Sequence, residues 1–104
     1  MKVYVSGPIT NVEKCESRFK NAAAYLRNKG HEAINPYTIP APKKSNGRDD
    51  WSYYMRESVK LLAQADQIYM LEGWEDSIGA TIEHNLARDI NLPIMYEKDD
   101  RKYV

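Results

Sequence analysis

A chain of 104 residues has room for one domain with a modest core, so we expect residues 1–104 to form a single domain. Its 15 basic residues balance its 15 acidic ones, so no net charge draws it to a nucleic acid polymer or an anionic membrane, and no apolar run has the length of a secretion signal or a membrane span. The single cysteine, Cys15, excludes an internal disulfide, and we expect a cytoplasmic protein.

Segments typical of strands alternate with segments typical of helices. The former are short, rich in β-branched and aromatic residues and followed by turn-forming residues, whereas the latter have apolar residues at three- and four-residue steps. In chain order the predicted elements are strand Lys2 to Ser6, helix Val12 to Lys29, strand Glu32 to Asn35, helix Trp51 to Ala65, strand Gln67 to Leu71, helix Ile78 to Ile90 and strand Leu92 to Glu97. This alternation predicts an α/β fold of the flavodoxin or Rossmann type, a small open parallel sheet of about four strands flanked by three helices.

Two segments lie outside these elements. The connection from Pro36 to Asp50 is long for a compact domain, which favours a binding loop or lid. Its Lys43, Lys44 and Arg48 are candidates for contacting a phosphate, with an ordinary solvated loop as the alternative. The residues after Glu97 are expected to form a polar tail.

Ligands of open parallel sheets bind beyond the carboxyl ends of the strands. This rule places several segments at the ligand end of the sheet: Ser6 and Gly7, Pro36, Glu72 to Ser77, and Tyr96. Asp66 precedes its strand, so we expect it at the opposite end as a turn residue.

Glu83 is the acidic residue whose position most favours chemistry. It lies four residues after Gly79 and three before Leu86, so the three share a helix face that also carries Ile90 and is expected to point inward. A carboxylate on such a face must be solvated, paired or used, and the nearby helix start favours the ionised form that a nucleophile needs. Gly79 is expected to leave space for a substrate one turn above it. The alternative is a glutamate that only stabilises the helix start.

Further candidates for ligand binding surround this helix. Asp76 and Ser77 stand where a helix N-cap is expected, and the one that does not cap is available to a sugar hydroxyl or a phosphate. Tyr4, Trp51 and Trp74 can stack on a base near the strand ends, with core packing or a dimer contact as the alternative.

The two histidines are not expected to take part. His84 follows Glu83 directly, and because adjacent helical positions diverge by about 100 degrees we expect it to be solvated. Neither His84 nor His31 has another histidine or cysteine at metal-ligand spacing, so no metal and no cofactor is expected.

Three segments carry a family resemblance: the opening VYVSGPIT, the INP at Ile34 to Pro36, and LEGWEDSIGATIEHNLA. They resemble small, mostly uncharacterised phage and bacterial proteins of the nucleoside 2-deoxyribosyltransferase-like superfamily and, more distantly, the 2'-deoxynucleoside 5'-phosphate N-hydrolases. The resemblance covers nearly the whole chain and is most specific over Gly79 to Glu83. It implies that Glu83 is the nucleophile of a retaining displacement at the anomeric carbon of a deoxyribosyl group, with water or a second base resolving the covalent intermediate.

The resemblance also implies a set of substrate contacts: Tyr4, Ser6, Gly7, Ser58, Ser77 and Gly79. In the transferases the position of Ser77 is typically aspartate, whereas the phosphate-recognising hydrolases have serine there. A neutral hydroxyl tolerates a phosphate dianion, so Ser77 favours a nucleoside monophosphate as substrate.

Two positions depart from the pattern of those hydrolases. An aspartate that supports the sugar or the leaving base is replaced by Ser58, which can hydrogen-bond a ribose hydroxyl but does not supply the same charge. The phosphate-binding serine after the first strand is replaced by Pro8, where Ser6 and the backbone at Gly7 are expected to compensate.

These observations leave three hypotheses. The first is an enzyme, a hydrolase or transferase acting at the N-glycosidic bond of a nucleotide or nucleoside. The second is a non-catalytic protein that binds or sequesters a nucleotide in the same cleft, which the absence of an acid at Ser58 favours. The third is a structural protein with a vestigial cleft. For all three a homodimer is the expected assembly, because so small a domain gains from burying apolar surface against a copy of itself.

Overall fold

The computed structural model describes residues 1–9, 12–40 and 50–100. The candidate phosphate contacts Lys43, Lys44 and Arg48 lie outside the described residues.

Within the described residues the strands form one parallel sheet in the order β2-β1-β3-β4. The strands are β1 (Lys2–Ser6), β2 (Glu32–Ile34), β3 (Gln67–Met70) and β4 (Ile94–Tyr96). β1 lies inside the sheet, where Tyr4 is opposite Ile34 of β2 on one side and Ile68 of β3 on the other. The predicted α/β fold with a small parallel sheet is thereby confirmed.

The helices connect the strands as parallel pairing requires. They are α1 (Val12–Asn28), α2 (Asp50–Ala63), α3 (Ile78–Asp89) and a short α4 (Glu97–Asp100), with 3-10 turns at Pro36–Thr38 and Trp74–Asp76. Gly30 follows α1 with a φ of 91°, the left-handed conformation that commonly closes a helix.

Successive side chains of β1 point to opposite faces of the sheet, and one core cluster lies on each face. Val3 and Val5 point to the α1 side, where they pack with Phe19 and Leu26 of that helix. The other core cluster, on the opposite face, contains Tyr4, Leu62, Ala65, Ile68, Met70, Ala80 and Ala87. Because side chains two residues apart on a strand share a face, Ser6 is on the same side as Tyr4 and both are directed toward α3.

The C-terminal end of the sheet is tied to α1 by a charged clamp. Arg18 donates through Nη2 to the carbonyl of Glu72 at 2.7 Å and lies 3.4 Å from Oε1 of Glu97. The same Glu97 oxygen accepts from the backbone N–H of Glu72 at 3.0 Å. These contacts hold Glu97 at the start of α4, so the first part of the segment expected to be a polar tail, up to Asp100, forms a helical turn.

Two expectations about element ends have different outcomes. Asp66 lies at the end opposite to the ligand edge, as predicted, where its Oδ2 accepts from the backbone N–H of Lys2 at 2.8 Å. Ile90 does not share an inward face with Glu83: α3 ends at Asp89, and Ile90 beyond it is 51% exposed. Ile90 lies beyond the end of α3, so helical spacing does not place its side chain on the face of Glu83.

Candidate active site

A cavity of about 670 Å³ opens at the carboxyl edge of the sheet, between the end of β1 and the facing parts of α2 and α3. Its polar or small lining residues include five of the positions expected to contact substrate, Tyr4, Gly7, Ser58, Ser77 and Gly79, together with Glu83 and Asp76. The rest of its wall is largely apolar and is formed by Ile9, Phe19, Pro36, Tyr37, Ile39, Trp51, Tyr54, Met55, Ile78 and Ala80. The lining of the cavity thus combines a few polar groups, Glu83 among them, with a broad apolar wall.

Glu83 is 6% exposed and is held by hydroxyl groups from β1. Tyr4 donates through Oη to Oε2 of Glu83, and Ser6 donates through Oγ to Oε1 at 2.7 Å. Each carboxylate oxygen therefore has one hydroxyl donor, which satisfies the hydrogen bonding that a buried carboxylate requires. The strand fixes the orientation of the carboxylate relative to the cavity.

Burial raises the pKa of Glu83 above its ordinary value, and the hydrogen bonds from Tyr4 and Ser6 oppose that rise. The sequence indicated instead that the helix start favours the ionised form. Glu83 is the sixth residue of α3, and the effect of helix dipoles fades beyond the first turn, so desolvation outweighs it here. The two hydroxyl groups are then the main source of stabilisation for the charged form.

Tyr4 is fully buried beneath the cavity. Burial raises the pKa of Tyr4 well above its ordinary value, and the neighbouring Glu83 carboxylate raises it further. A hydrogen bond with the side chain of Ser58 has the opposite, smaller effect on the pKa of Tyr4. Tyr4 therefore remains a neutral donor to Glu83 across the physiological pH range.

Ser6 differs from the other expected substrate contacts. Its side chain is 1% exposed and is not part of the cavity wall. Ser6 was expected to line the pocket, but its hydroxyl is used in the contact with the Glu83 carboxylate, on the same face of β1 as Tyr4.

Ser77 is the N-cap of α3, and its Oγ accepts from the backbone N–H of Ala80 at 3.2 Å. Asp76 precedes it in the cavity wall with an exposed side chain. Of the two candidates for capping, Ser77 takes that part, which leaves the Asp76 carboxylate available to a ligand.

Two glycines bring backbone close to neighbouring side chains at the cavity. A Cβ atom on Gly7 would lie 2.7 Å from Cβ of Leu71, so only glycine fits where the chain leaves β1. A Cβ atom on Gly79 would lie 3.0 Å from the sulfur of Met55. The space above Gly79 is therefore shared with Met55 and is not simply open, as the sequence had indicated.

The prediction that His84 is solvated is wrong. His84 is 9% exposed and stacks on Trp74 with a ring-centroid distance of 4.0 Å, and its Nε2 is 2.8 Å from Oη of Tyr96. A wide face of α3 is covered by the rest of the protein, so the adjacent residues Glu83 and His84 are both buried. β1 covers Glu83, and the loop after β3 covers His84. Trp74 packs on this histidine and does not contribute to the cavity wall.

The sequence did not single out most of the apolar wall. Among its members Ile9, Trp51 and Ile78 are 54%, 55% and 75% exposed, which is unusual for large apolar side chains. They come from three separate segments, so no periodic pattern joins them. Pro36 was named beforehand as a residue at the ligand end of the sheet, and Trp51 as a candidate for stacking on a base; both lie in the wall.

Residues 1–96 match a family model described as a domain of unknown function, DUF4406. The chain belongs to the DUF4406 family. No curated protein matches it. A solved structure similar to this DUF4406 protein is a 2-deoxyribosyltransferase from the psychrotolerant bacterium Bacillus psychrosaccharolyticus, with a TM-score of 0.75 and 21% sequence identity over 92% of this chain and 71% of the other. At this identity the likeness shows a shared fold.

Two further properties concern only the described part of this DUF4406 protein. No helix there is long and apolar enough to cross a membrane. No group of three or more histidine, cysteine, aspartate or glutamate side chains is arranged there to hold a metal ion.

Proposed function

We propose that this protein hydrolyses or transfers at the N-glycosidic bond of a nucleoside or a nucleoside 5'-monophosphate, with Glu83 as the nucleophile. The observation that carries the proposal is the Glu83 carboxylate, which lines a 670 Å³ cavity and has a hydroxyl donor on each oxygen. A carboxylate oriented in this way is suited to attack a sugar carbon held above it. The solved neighbour supports the reaction class, since it is a 2-deoxyribosyltransferase described as a biocatalyst for the synthesis of nucleosides.

The chemistry proceeds in two displacements. A carboxylate oxygen of Glu83 forms a bond to the anomeric carbon while the bond from that carbon to the base breaks, and the leaving base takes the bonding electrons and then a proton from solvent. Water, or the nitrogen of a second base, next attacks the same carbon and releases Glu83. Two inversions give net retention at the anomeric carbon.

The polar and the apolar lining residues each suit one part of such a substrate. Ser58, Ser77 and Asp76 provide groups for sugar hydroxyls, and the apolar wall with Trp51 and Tyr54 provides faces for a base. Ser77 is neutral whereas Asp76 is a carboxylate, so the two have opposite effects on a 5'-phosphate. Nucleosides and their monophosphates therefore belong in the same assay.

The experiment is a base-release assay. Each common deoxynucleoside and its 5'-monophosphate is incubated with the protein, alone and with a second base as acceptor, and free base and new nucleoside are separated by chromatography. We expect release or exchange by the wild type and none by Glu83→Ala, with an unchanged circular dichroism spectrum. Glu75→Gln alters an exposed carboxylate in the turn that precedes α3. It is the matched control and is expected to retain activity. Activity in Glu83→Ala would refute the assignment of the nucleophile.

A second candidate function is non-catalytic binding of a nucleotide in the same cavity. Ser58 favours it, because the cavity has a neutral hydroxyl where the resemblance implies an acid. Titration calorimetry with the same compounds distinguishes the two functions. Binding without base release over hours would support a binding protein, and in that case Ser58→Asp is expected to raise any trace turnover.

A homodimer and a cytoplasmic location remain part of the proposal. Ile78 and Ile82 are exposed one turn apart on α3 and would be covered by a partner copy. Light scattering after size-exclusion chromatography measures the mass of the assembly, and a monomer at micromolar concentration would contradict the dimer.

A further inference from the structure

The hydroxyl of Ser6 is a buried polar group next to the cavity. Its side chain is 1% exposed and makes one hydrogen bond, from Oγ to Oε1 of Glu83 at 2.7 Å. Ser6 follows Tyr4 by two residues on β1, so the same strand face supplies both donors to the carboxylate. A serine in this buried strand position contributes little apolar packing, and among the described residues its hydroxyl donates to Glu83.

The two donors hold different sides of the carboxylate. Tyr4 lines the cavity and contacts Oε2, whereas Ser6 is outside the cavity wall and contacts Oε1. Both oxygens of the carboxylate are thereby tied to β1, Oε2 through Tyr4 and Oε1 through Ser6. Rotation of the carboxylate about its terminal bond would break both contacts.

We propose that Ser6 is a positioning residue, which holds the Glu83 carboxylate through Oε1 in the orientation that the proposed displacement uses. The inference rests on the proposed function only where it refers to that displacement, because the orientation and charge of Glu83 are properties of the free protein. Hydrogen bonds to a carboxylate favour its ionised form, so Ser6 also contributes to keeping the buried nucleophile charged.

The test is the titration of Glu83 without any ligand. Protein labelled with carbon-13 at the glutamate side-chain carboxyl is titrated by NMR, and the Glu83 signal is assigned from its absence in Glu83→Gln. We expect the Glu83 titration to move to higher pH in Ser6→Ala. Ser6→Cys retains the size of the side chain but is a weak donor, so its titration is expected to lie between those of wild type and Ser6→Ala.

A matched control separates this effect from general loosening of the strand. Val5→Ala opens a small cavity at the adjacent position of β1, on the opposite face of the sheet, and does not touch Glu83. It is expected to lower the thermal midpoint while the Glu83 titration stays where it is. If Ser6→Ala leaves that titration unchanged, or if Val5→Ala shifts it equally, the positioning role is refuted.

The base-release assay adds a second readout. In Ser6→Ala we expect kcat to fall roughly 10-fold to 100-fold with little change in KM, and the acidic limb of the pH profile to move to higher pH with the titration. A fall confined to KM would overturn the positioning role. If the wild type releases no base, the proposed function fails by itself, and the NMR titration still decides the role of Ser6.

Discussion

Replacing Glu83 by glutamine is expected to stabilise the protein at neutral pH while it removes the proposed activity. Glu83 is 6% exposed, so folding takes its carboxylate out of water almost completely. Glutamine has the same shape and no charge. The hydroxyl groups of Tyr4 and Ser6 can each donate or accept, so the amide retains partners on both sides.

The size of the effect follows from the raised pKa of Glu83. Between its ordinary value of 4.5 and the higher pKa in the folded state, the folded protein holds a proton that the unfolded chain has released. The free energy of unfolding of the wild type is therefore highest, as far as Glu83 is concerned, below pH 4.5 and falls as the pH rises through the folded pKa. The loss is at most about 1.4 kcal/mol for each pH unit in that interval. Glutamine does not titrate, so the free energy of unfolding of Glu83→Gln does not fall in this way as the pH rises.

The assay is urea unfolding of wild type and Glu83→Gln at half-unit steps from pH 4 to pH 9, followed by tryptophan fluorescence. We expect the advantage of the variant to grow with pH and then to reach a constant value. Glu75→Gln, at an exposed carboxylate of the neighbouring turn, serves as the control and is expected to show a nearly constant difference. If the wild type is the more stable protein at pH 8, or if the difference does not depend on pH, desolvation does not dominate at Glu83 and the reasoning is refuted.

Two further substitutions test the walls of the cavity. Ser77→Ala removes the cap on the N–H of Ala80 and is expected to lower the free energy of unfolding by about 1 kcal/mol, whereas Ser52→Ala on the exposed surface of α2 changes it by less than about 0.5 kcal/mol. Equal effects in chemical unfolding would contradict the capping role. Gly7→Ala forces a Cβ atom to within 2.7 Å of Cβ of Leu71 and is expected to lower the free energy of unfolding by about 1 to 3 kcal/mol, so an unchanged thermal midpoint would show that the backbone yields there.

The fold could be predicted because its signals are local. β-branched strands ended by Gly7 and Pro36, and helices with regular apolar spacing, each depend on residues close together in the chain. The spacing of Glu83 to Gly79 and Leu86 predicted an inward-pointing side chain, and Glu83 is buried.

The details that the sequence did not predict depend on contacts across the fold. His84 is buried because Trp74 covers it. Trp74 lies in the turn before α3, and the spacing of residues within a helix does not predict a contact with a residue outside that helix. The helical turn after Glu97 exists because Glu97 pairs with Arg18, far away in the chain. Ser6 was expected in the cavity because it ends a strand at the ligand edge, but which side of the carboxylate it contacts depends on how β1 and α3 face each other.

The segment from Glu72 to Ser77 is secured at both of its ends. Arg18 and Glu97 hold the backbone of Glu72, and Ser77 is fixed as the cap of α3. The four residues between them form a short span, part of which borders the cavity, whereas the two hydroxyl donors described at the Glu83 carboxylate come from β1. Ligand preference can therefore diverge among relatives through changes in this span, without disturbing the group that is proposed to react.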